Sequence, residues 1–196
     1  MPSVEPAADL RIRPVEYRVA QQRILTAALE LFTTYGVSGT SLQMIADRVG
    51  VSKAAVYHQF KTKEEIVVGA VDTELGSLEA ALEAAGSGDR RGDAVESLLD
   101  QVITLAVGHR RFVGTLQHDP VIVRLLADHP PFAQFMRRLF GALLGDGSGP
   151  RARVRAAMIT SAIGGAVTQP LVQDLDDTTL HDELFGLTRT FLSRSD

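Results

Sequence analysis

"GVSKAAVYHQFKTKEE", residues 50–65, decides how the rest of the chain is read. It holds every lysine of the protein, Lys53, Lys61 and Lys63, whereas the 17 arginines are scattered from end to end. Tyr57 and His58 stand side by side, and Val56 and Phe60 are one helical turn apart, the spacing of an inward face. Ser52 can cap "KAAVYHQF" as a helix of barely two turns. Thr62 and Glu65 have the spacing of a capping box and open a longer helix that runs to about residue 85. Just upstream lies "GTSLQMIADRVG". There Thr40 and Gln43 have the same spacing, Leu42, Ile45, Ala46 and Val49 form the apolar face, and Gly50 ends the helix. Two short helices joined by a glycine-containing turn are what a helix-turn-helix looks like in sequence.

The chemistry of the stretch fits that geometry. The second helix of such a motif lies in the DNA major groove with its first residues toward base edges. Here those residues are Lys53, Ala54 and Ala55. Lysine can donate to guanine O6 and N7, and an alanine methyl can rest against a thymine methyl. Tyr57 and His58 offer donors to phosphates at the groove wall. Lys63 opens the next helix, where the positive end of the helix dipole would help it meet the backbone. Ser41 and Gln43 head the preceding helix, and Gln43 is long enough to reach a base. Charge points the same way. Residues 1–63 carry 8 Lys/Arg against 5 Asp/Glu, and residues 64–196 carry 12 against 19, so +3 and −7 sum to the net −4. Only the front of the chain is suited to a polyanion.

The remaining sequence reads as helices. Residues 1–15, with Pro2, Pro6 and Pro14, form an expected flexible arm bearing Arg11 and Arg13. From about residue 15 to 35, Ile24, Leu25, Ala28, Leu31 and Phe32 recur at helical spacing, and Gly36 followed by Val37 suits a left-handed ending. Beyond the breaker at 85–93, apolar faces recur through Val95–Ala106, a segment through Phe112 and Leu116, "VIVRLLAD" after Pro120, "FAQFMRRLFGALL" after Pro130-Pro131, residues 151–169, and a last helix with Leu180, Leu184, Leu187, Thr188 and Phe191. No period-two runs rich in β-branched residues occur. The expected fold is therefore all-α, about nine helices.

Residues 18–66 resemble the DNA-binding domain of the TetR family of bacterial regulators, on "RILTAALELFTTYGVSGTSLQMIADRVGVSKAAVYHQFKTKEEI" and, within it, "TS…IA…GVS" and "VYHQF" followed by "KTKEE". The resemblance implies a three-helix DNA-binding domain at 16–63 and a helical effector-binding and dimerisation domain at 64–196. Carried over by position, Gln43, Lys53, Ala54 and Ala55 face bases, while Ser41, Tyr57, His58 and Lys63 face phosphates. Many members have a glycine or hydroxyl residue where this chain has Ala54-Ala55, so hydrogen-bonded base readout here rests on Gln43 and Lys53. The implied partners are a near-palindromic operator in double-stranded DNA, a second copy of the chain docked through the last two helices, and a small effector.

The C-terminal two-thirds say less. "AAMITSAIGGA" (156–166) is small enough on most sides for another helix to approach closely. Leu105, His109, Phe112, Leu116, Phe135, Met158 and Ser161 lie on helices that could surround a cavity, and no charge cluster stands among them, which suits an apolar or uncharged effector. Catalysis is not expected: His109, His118 and His129 lack helical metal-site spacing, and neither H-E-x-x-H nor G-x-S-x-G occurs. No cofactor or metal is called for. The absence of cysteine excludes disulfides and thiolate chemistry and, with no apolar leader, points to the cytoplasm. The uncharged run 156–173 contains too many polar residues for a membrane span. Two rival readings remain: a helical carrier or enzyme with a vestigial DNA-binding head, and a regulator controlled by a protein partner.

Overall fold

The computed structural model describes residues 17–86, 91–144 and 149–193, so the expected arm with Arg11 and Arg13 lies outside the described residues. Within them the chain forms helices and no strand: α1 (Val19–Gly39), α2 (Leu42–Val49), α3 (Lys53–Gln59), α4 (Lys63–Gly86), α5 (Arg91–Gly108), α6 (Arg110–His118), α7 (Pro120–Ala127), α8 (Pro130–Leu144), α9 (Pro150–Ala166) and α10 (Asp177–Ser193), with a 3₁₀ turn at Pro170–Val172. The all-α expectation holds. Ten α-helices replace the expected nine or so because Gly108 and the non-helical His109 (φ −117°, ψ 32°) separate α6 from α5.

Local chemistry sets the helix ends. Gly36 takes the left-handed conformation (φ 71°) that only glycine adopts freely, and it kinks α1 at the expected place. Gly50 does the same after α2 (φ 78°), its N–H donating to the carbonyls of Ala46 and Asp47. Ser52 caps α3 by accepting from the Ala55 amide at 3.2 Å. One expected cap is corrected. Ser41, not Thr40, caps α2, accepting from the Met44 amide at 3.2 Å, because the buried Thr40 hydroxyl is already donating to the Gly36 carbonyl at 2.8 Å. Helix α9 also stops at Ala166, short of the expected residue 169, and the Pro170 turn follows.

Helix α2 packs on both α1 and α3; α4 joins them to the rest, touching α1, α5, α7 and α8, and α1 also packs on α6 and α7. A single apolar core runs through all of this, from Ile24, Phe32, Ile45 and Val56 through Ile66 and Val71 to Leu99, Ile103, Phe135 and Ile163. Among the described residues, one charged side chain is buried in the helical body. Glu79 on α4, 2% exposed, pairs through Oε1 with Arg138 on α8, and its Oε2 is buried with no hydrogen-bond partner among the described residues. Among those residues no helix is long and apolar enough to cross a membrane.

Candidate nucleic-acid interface and ligand cavity

Helix α3 is anchored by two side chains. Val56 (0% exposed) and Phe60 (5%) enter the core, a burial that stabilises by about 1.5–3 kcal/mol for each side chain. Everything else the sequence assigns to α3 faces outward: Lys53, Ala54, Ala55, Tyr57 and His58 are all exposed. An α-helix with its side chains is about 10–12 Å across, a match for a major groove about 12 Å wide. Ser41 and Gln43 are exposed at the start of α2, across the Gly50 turn. Gln43 Nε2 donates to Asp47 Oδ1 at 2.7 Å, a solvent-exposed bond that its carboxamide must exchange to reach a base. Lys61 lies over the Tyr57 ring, 5.0 Å from its centroid, so cation and phenol form one unit. His58 Nδ1 lies 3.4 Å from Gln59 Nε2.

Lys63 is placed differently from the other cations. Its Nζ donates to the carbonyls of Val37 (2.5 Å) and Thr40 (3.0 Å), so two of its three N–H bonds close the end of α1. The N-terminus of α4 is occupied as well: Thr62 Oγ1 accepts from the Glu65 amide at 3.1 Å, and Glu65 Oε2 accepts from the Lys61 amide at 2.7 Å. The expected help from the α4 dipole is therefore largely taken up by Glu64 and Glu65 in its first turn. Arg48 pairs with Glu30 at 2.5 Å, and Arg23 donates to the Val49 carbonyl at 3.1 Å, so these two arginines brace α1 against α2.

Behind this head, at the beginning of α1, Tyr17 packs near Phe60 and against Gly69 of α4. Burial, with the Asp72 charge adding to it, pushes the Tyr17 phenol up to about 12. Burial also raises Asp72 above the ordinary carboxylate value, with His129 at the α7–α8 junction opposing the shift.

Helices α4 to α9 line a partly open cavity of about 420 Å³. Leu105, Phe112 and Leu116, three of the residues picked out from sequence, line it. The other four do not. Phe135 is a 1% exposed core residue, Met158 and Ser161 are on the outer face of α9, and His109 is exposed and bonds Glu74 at 2.8 Å. Much of the lining was not anticipated, notably Met136 and Phe140 on α8, Thr160 and Gly164 on α9, and Gln117 on α6. A signal for Gln117 existed: it stands four residues after Val113, which also lines the cavity, but that spacing counts only once α6 is recognised as a separate helix.

The sequence profile described as "Bacterial regulatory proteins, tetR family" matches residues 24–70. The chain is 33% identical over 99 residues to the HTH-type transcriptional regulator AcrR of Shigella flexneri, covering 49% of this chain and 46% of that one. It is 30% identical over 136 residues to an HTH-type transcriptional repressor of Mycobacterium tuberculosis, covering 69% and 62%. The alignments thus span roughly half to three-fifths of these relatives' lengths. In fold it is similar to the regulator FadR of Bacillus subtilis, solved with stearoyl-CoA (TM-score 0.67, 19% identity, 85% of this chain and 96% of that one). It is also similar to NalD of Pseudomonas aeruginosa, the secondary repressor of the MexAB-OprM multidrug efflux pump (TM-score 0.64, 22% identity, 90% and 98%).

Proposed function

Starting from the fact that this chain belongs to the TetR family of bacterial regulatory proteins, we propose that it is a cytoplasmic transcriptional repressor, released from a near-palindromic operator by a small, uncharged effector. The observation that carries this reading is the division of α3 into a core-anchored side, Val56 and Phe60, and an exposed side formed by Lys53, Ala54, Ala55, Tyr57 and His58. In this reading Gln43 and Lys53 read bases by hydrogen bonds, and Ala54 and Ala55 do so by methyl contact. Ser41, Tyr57 and His58 hold phosphates, and Lys61, stacked on Tyr57, adds a further charge. Lys63 acts mainly through the head, with its third N–H left for a phosphate.

Residues 16–63 form the DNA-binding unit, and 64–196 the effector and dimerisation unit. The dimer forms through α9 and α10, where Val154 (58% exposed), Met158 (51%), Leu187 (68%) and Phe191 (36%) supply apolar surface that a twofold contact would cover. The effector occupies the cavity among α4 to α9. It must bind the DNA-incompetent arrangement of the two heads more tightly than the competent one, and DNA must then weaken the effector to the same degree.

The deciding experiment is a footprint of the purified protein on DNA flanking its own gene, followed by selection from random DNA, both at a stated salt concentration with excess competitor. Two protected half-sites related by a dyad support the reading. No sequence-specific site in either format refutes it and favours a carrier.

A further inference from the structure

Gln117 is one of two polar side chains that line the cavity. Among the described residues, no charged side chain lines the cavity. Its walls are Leu, Val, Phe, Met, Ile, Ala and Gly, apart from the Gln117 carboxamide and the Thr160 hydroxyl. That hydroxyl donates to the Ala156 carbonyl at 2.9 Å, so it can only accept from a ligand. The carboxamide of Gln117 makes no hydrogen bond among the described residues, and it carries both donor and acceptor capacity. It packs against Gly164 of α9, so close that any Cβ at position 164 would overlap its amide nitrogen. Gly164 is therefore the absent side chain that lets α6 lay a polar group on the opposite wall.

We propose that this cavity selects neutral ligands with a hydrocarbon body and one hydrogen-bonding group, a hydroxyl or carbonyl, and that Gln117, seated on Gly164, is the specificity-determining residue. A carboxylate would be stripped of water with no cation to receive it. A pure hydrocarbon would leave the carboxamide dehydrated and unpaired. A ligand of the stated class satisfies both walls.

The inference rests on the effector reading above but is tested without DNA. Nile red bound to the full chain is displaced with decane, decanol and decanoate, in the wild type, Gln117→Leu and Gly164→Ala. Circular dichroism checks that each variant is folded. The ratio of decane to decanol dissociation constants should fall by about two- to twelve-fold in Gln117→Leu, the worth of one hydrogen bond. It should fall in the same direction in Gly164→Ala, where the new methyl evicts the carboxamide although Gln117 remains. Decanoate should bind weakest of the three to the wild type. An unchanged ratio in both variants overturns the role of Gln117, and tightest binding by decanoate overturns the neutral class. Failure of every ligand to displace the dye overturns the proposal together with the cavity's use as an effector site. Ligands that show the expected preferences yet leave operator affinity unchanged uphold it and refute the effector reading alone.

Discussion

The carboxylate of Asp119 ties the kink of α1 to the α6–α7 junction: its Oδ2 accepts from the Val37 amide at 2.8 Å, across 82 positions of sequence. Its Oδ1 meanwhile accepts from the amides of Val121 (2.9 Å) and Ile122 (3.3 Å), capping α7. Val37 in turn holds Lys63 through its carbonyl. One side chain thus fastens the turn after Gly36, at the base of the DNA-binding head, to the α6–α7 corner. Both of those helices line the cavity, through residues such as Phe112 and Leu126. In the effector reading, a ligand that displaces the α6–α7 junction would strain this bond, a physical route from the cavity to the head.

Asp119→Ala should lose about 1–3 kcal/mol in urea unfolding, since it removes a helix cap and strands the Val37 N–H. It should also shrink the factor by which a bound ligand weakens operator affinity. Asp119→Asn keeps an acceptor and should fall between. Gly36→Ala should cost about 1 kcal/mol or more, because it forces a side chain into φ 71° with its Cβ 3.2 Å from Asp119 Oδ2. If Asp119→Ala lowers stability but leaves the ligand-driven factor unchanged, coupling runs elsewhere.

The head was legible in sequence because short-range chemistry determines it. Ser52, Gly36 and Gly50 act within a few residues of themselves, and Val56 with Phe60 needs only one turn of helix to define a buried face. Thr40 misled because its hydroxyl has two possible partners, and the Gly36 carbonyl that takes it becomes available only after the α1 kink forms. Lys63 was read as a phosphate cation for a related reason: the carbonyls of Val37 and Thr40 lie 26 and 23 residues away and are unseen by local pattern. The cavity was the least legible part. Phe135, Met158 and Ser161 sit on the right helices, but which side of a helix faces a void is fixed by how six helices pack, information that no single helix carries. Leu187 and Phe191 show the same limit, since the apolar residues of α10 divide between a face buried with Leu180 and Leu184 and one left exposed.

Lys53 and Lys63 should separate binding from stability. Lys53→Ala removes an exposed cation, so unfolding should move by no more than about 0.5 kcal/mol. Operator binding should weaken by about 1–3 kcal/mol, with relaxed preference at one base position. Lys63→Ala leaves the Thr40 carbonyl without a donor and the Val37 carbonyl with the Thr40 amide alone, at 3.3 Å, and should cost about 1–2 kcal/mol of stability. Its salt slope in operator binding should change by about 1 only if the third N–H reaches a phosphate. Equal stability in the two variants would contradict the bracing role of Lys63.

Glu79 and Arg138 form the ion pair whose rupture should be felt most in the body. Arg138→Met leaves a carboxylate that is 2% exposed without its cation, and should destabilise by about 3–5 kcal/mol. Replacing both, Glu79→Gln with Arg138→Met, should recover much of that loss, because the buried charge itself is gone. Urea unfolding of the two single variants and the double variant measures the coupling directly. Additive losses would mean that the pair contributes little beyond packing.

Asp72 predicts a pH dependence of definite sign. Burial raises its folded-state pKa above the ordinary 3.8, so the proton-linked stability is fully present below that value and is lost as pH rises through the raised pKa. At neutral pH the ionised Asp72 therefore weighs against the fold. Asp72→Asn should be more stable than wild type at neutral pH, with the advantage shrinking as pH falls through the raised pKa toward the ordinary 3.8. The same substitution should bring the Tyr17 phenol below about 12, readable as phenolate absorbance that Tyr17→Phe abolishes. Superimposable pH–stability curves for wild type and Asp72→Asn would refute the burial argument.

The exposed stripe on α9 and α10 yields the last test. Val154 and Met158 are one turn apart on α9, as are Leu187 and Phe191 on α10, and all four are exposed, Leu187 most of all. Twofold docking would bury this surface twice over, so a single substitution introduces two charges into one apolar interface. Leu187→Asp should shift sedimentation from dimer to monomer at micromolar concentration. Because Leu187 is 68% exposed, the monomer itself should keep its helical signal. Operator binding should fall far more than any single head-group substitution achieves, since one head alone contacts only one half-site. An intact dimer carrying Leu187→Asp would place the interface on another face and leave the α9–α10 surface unexplained.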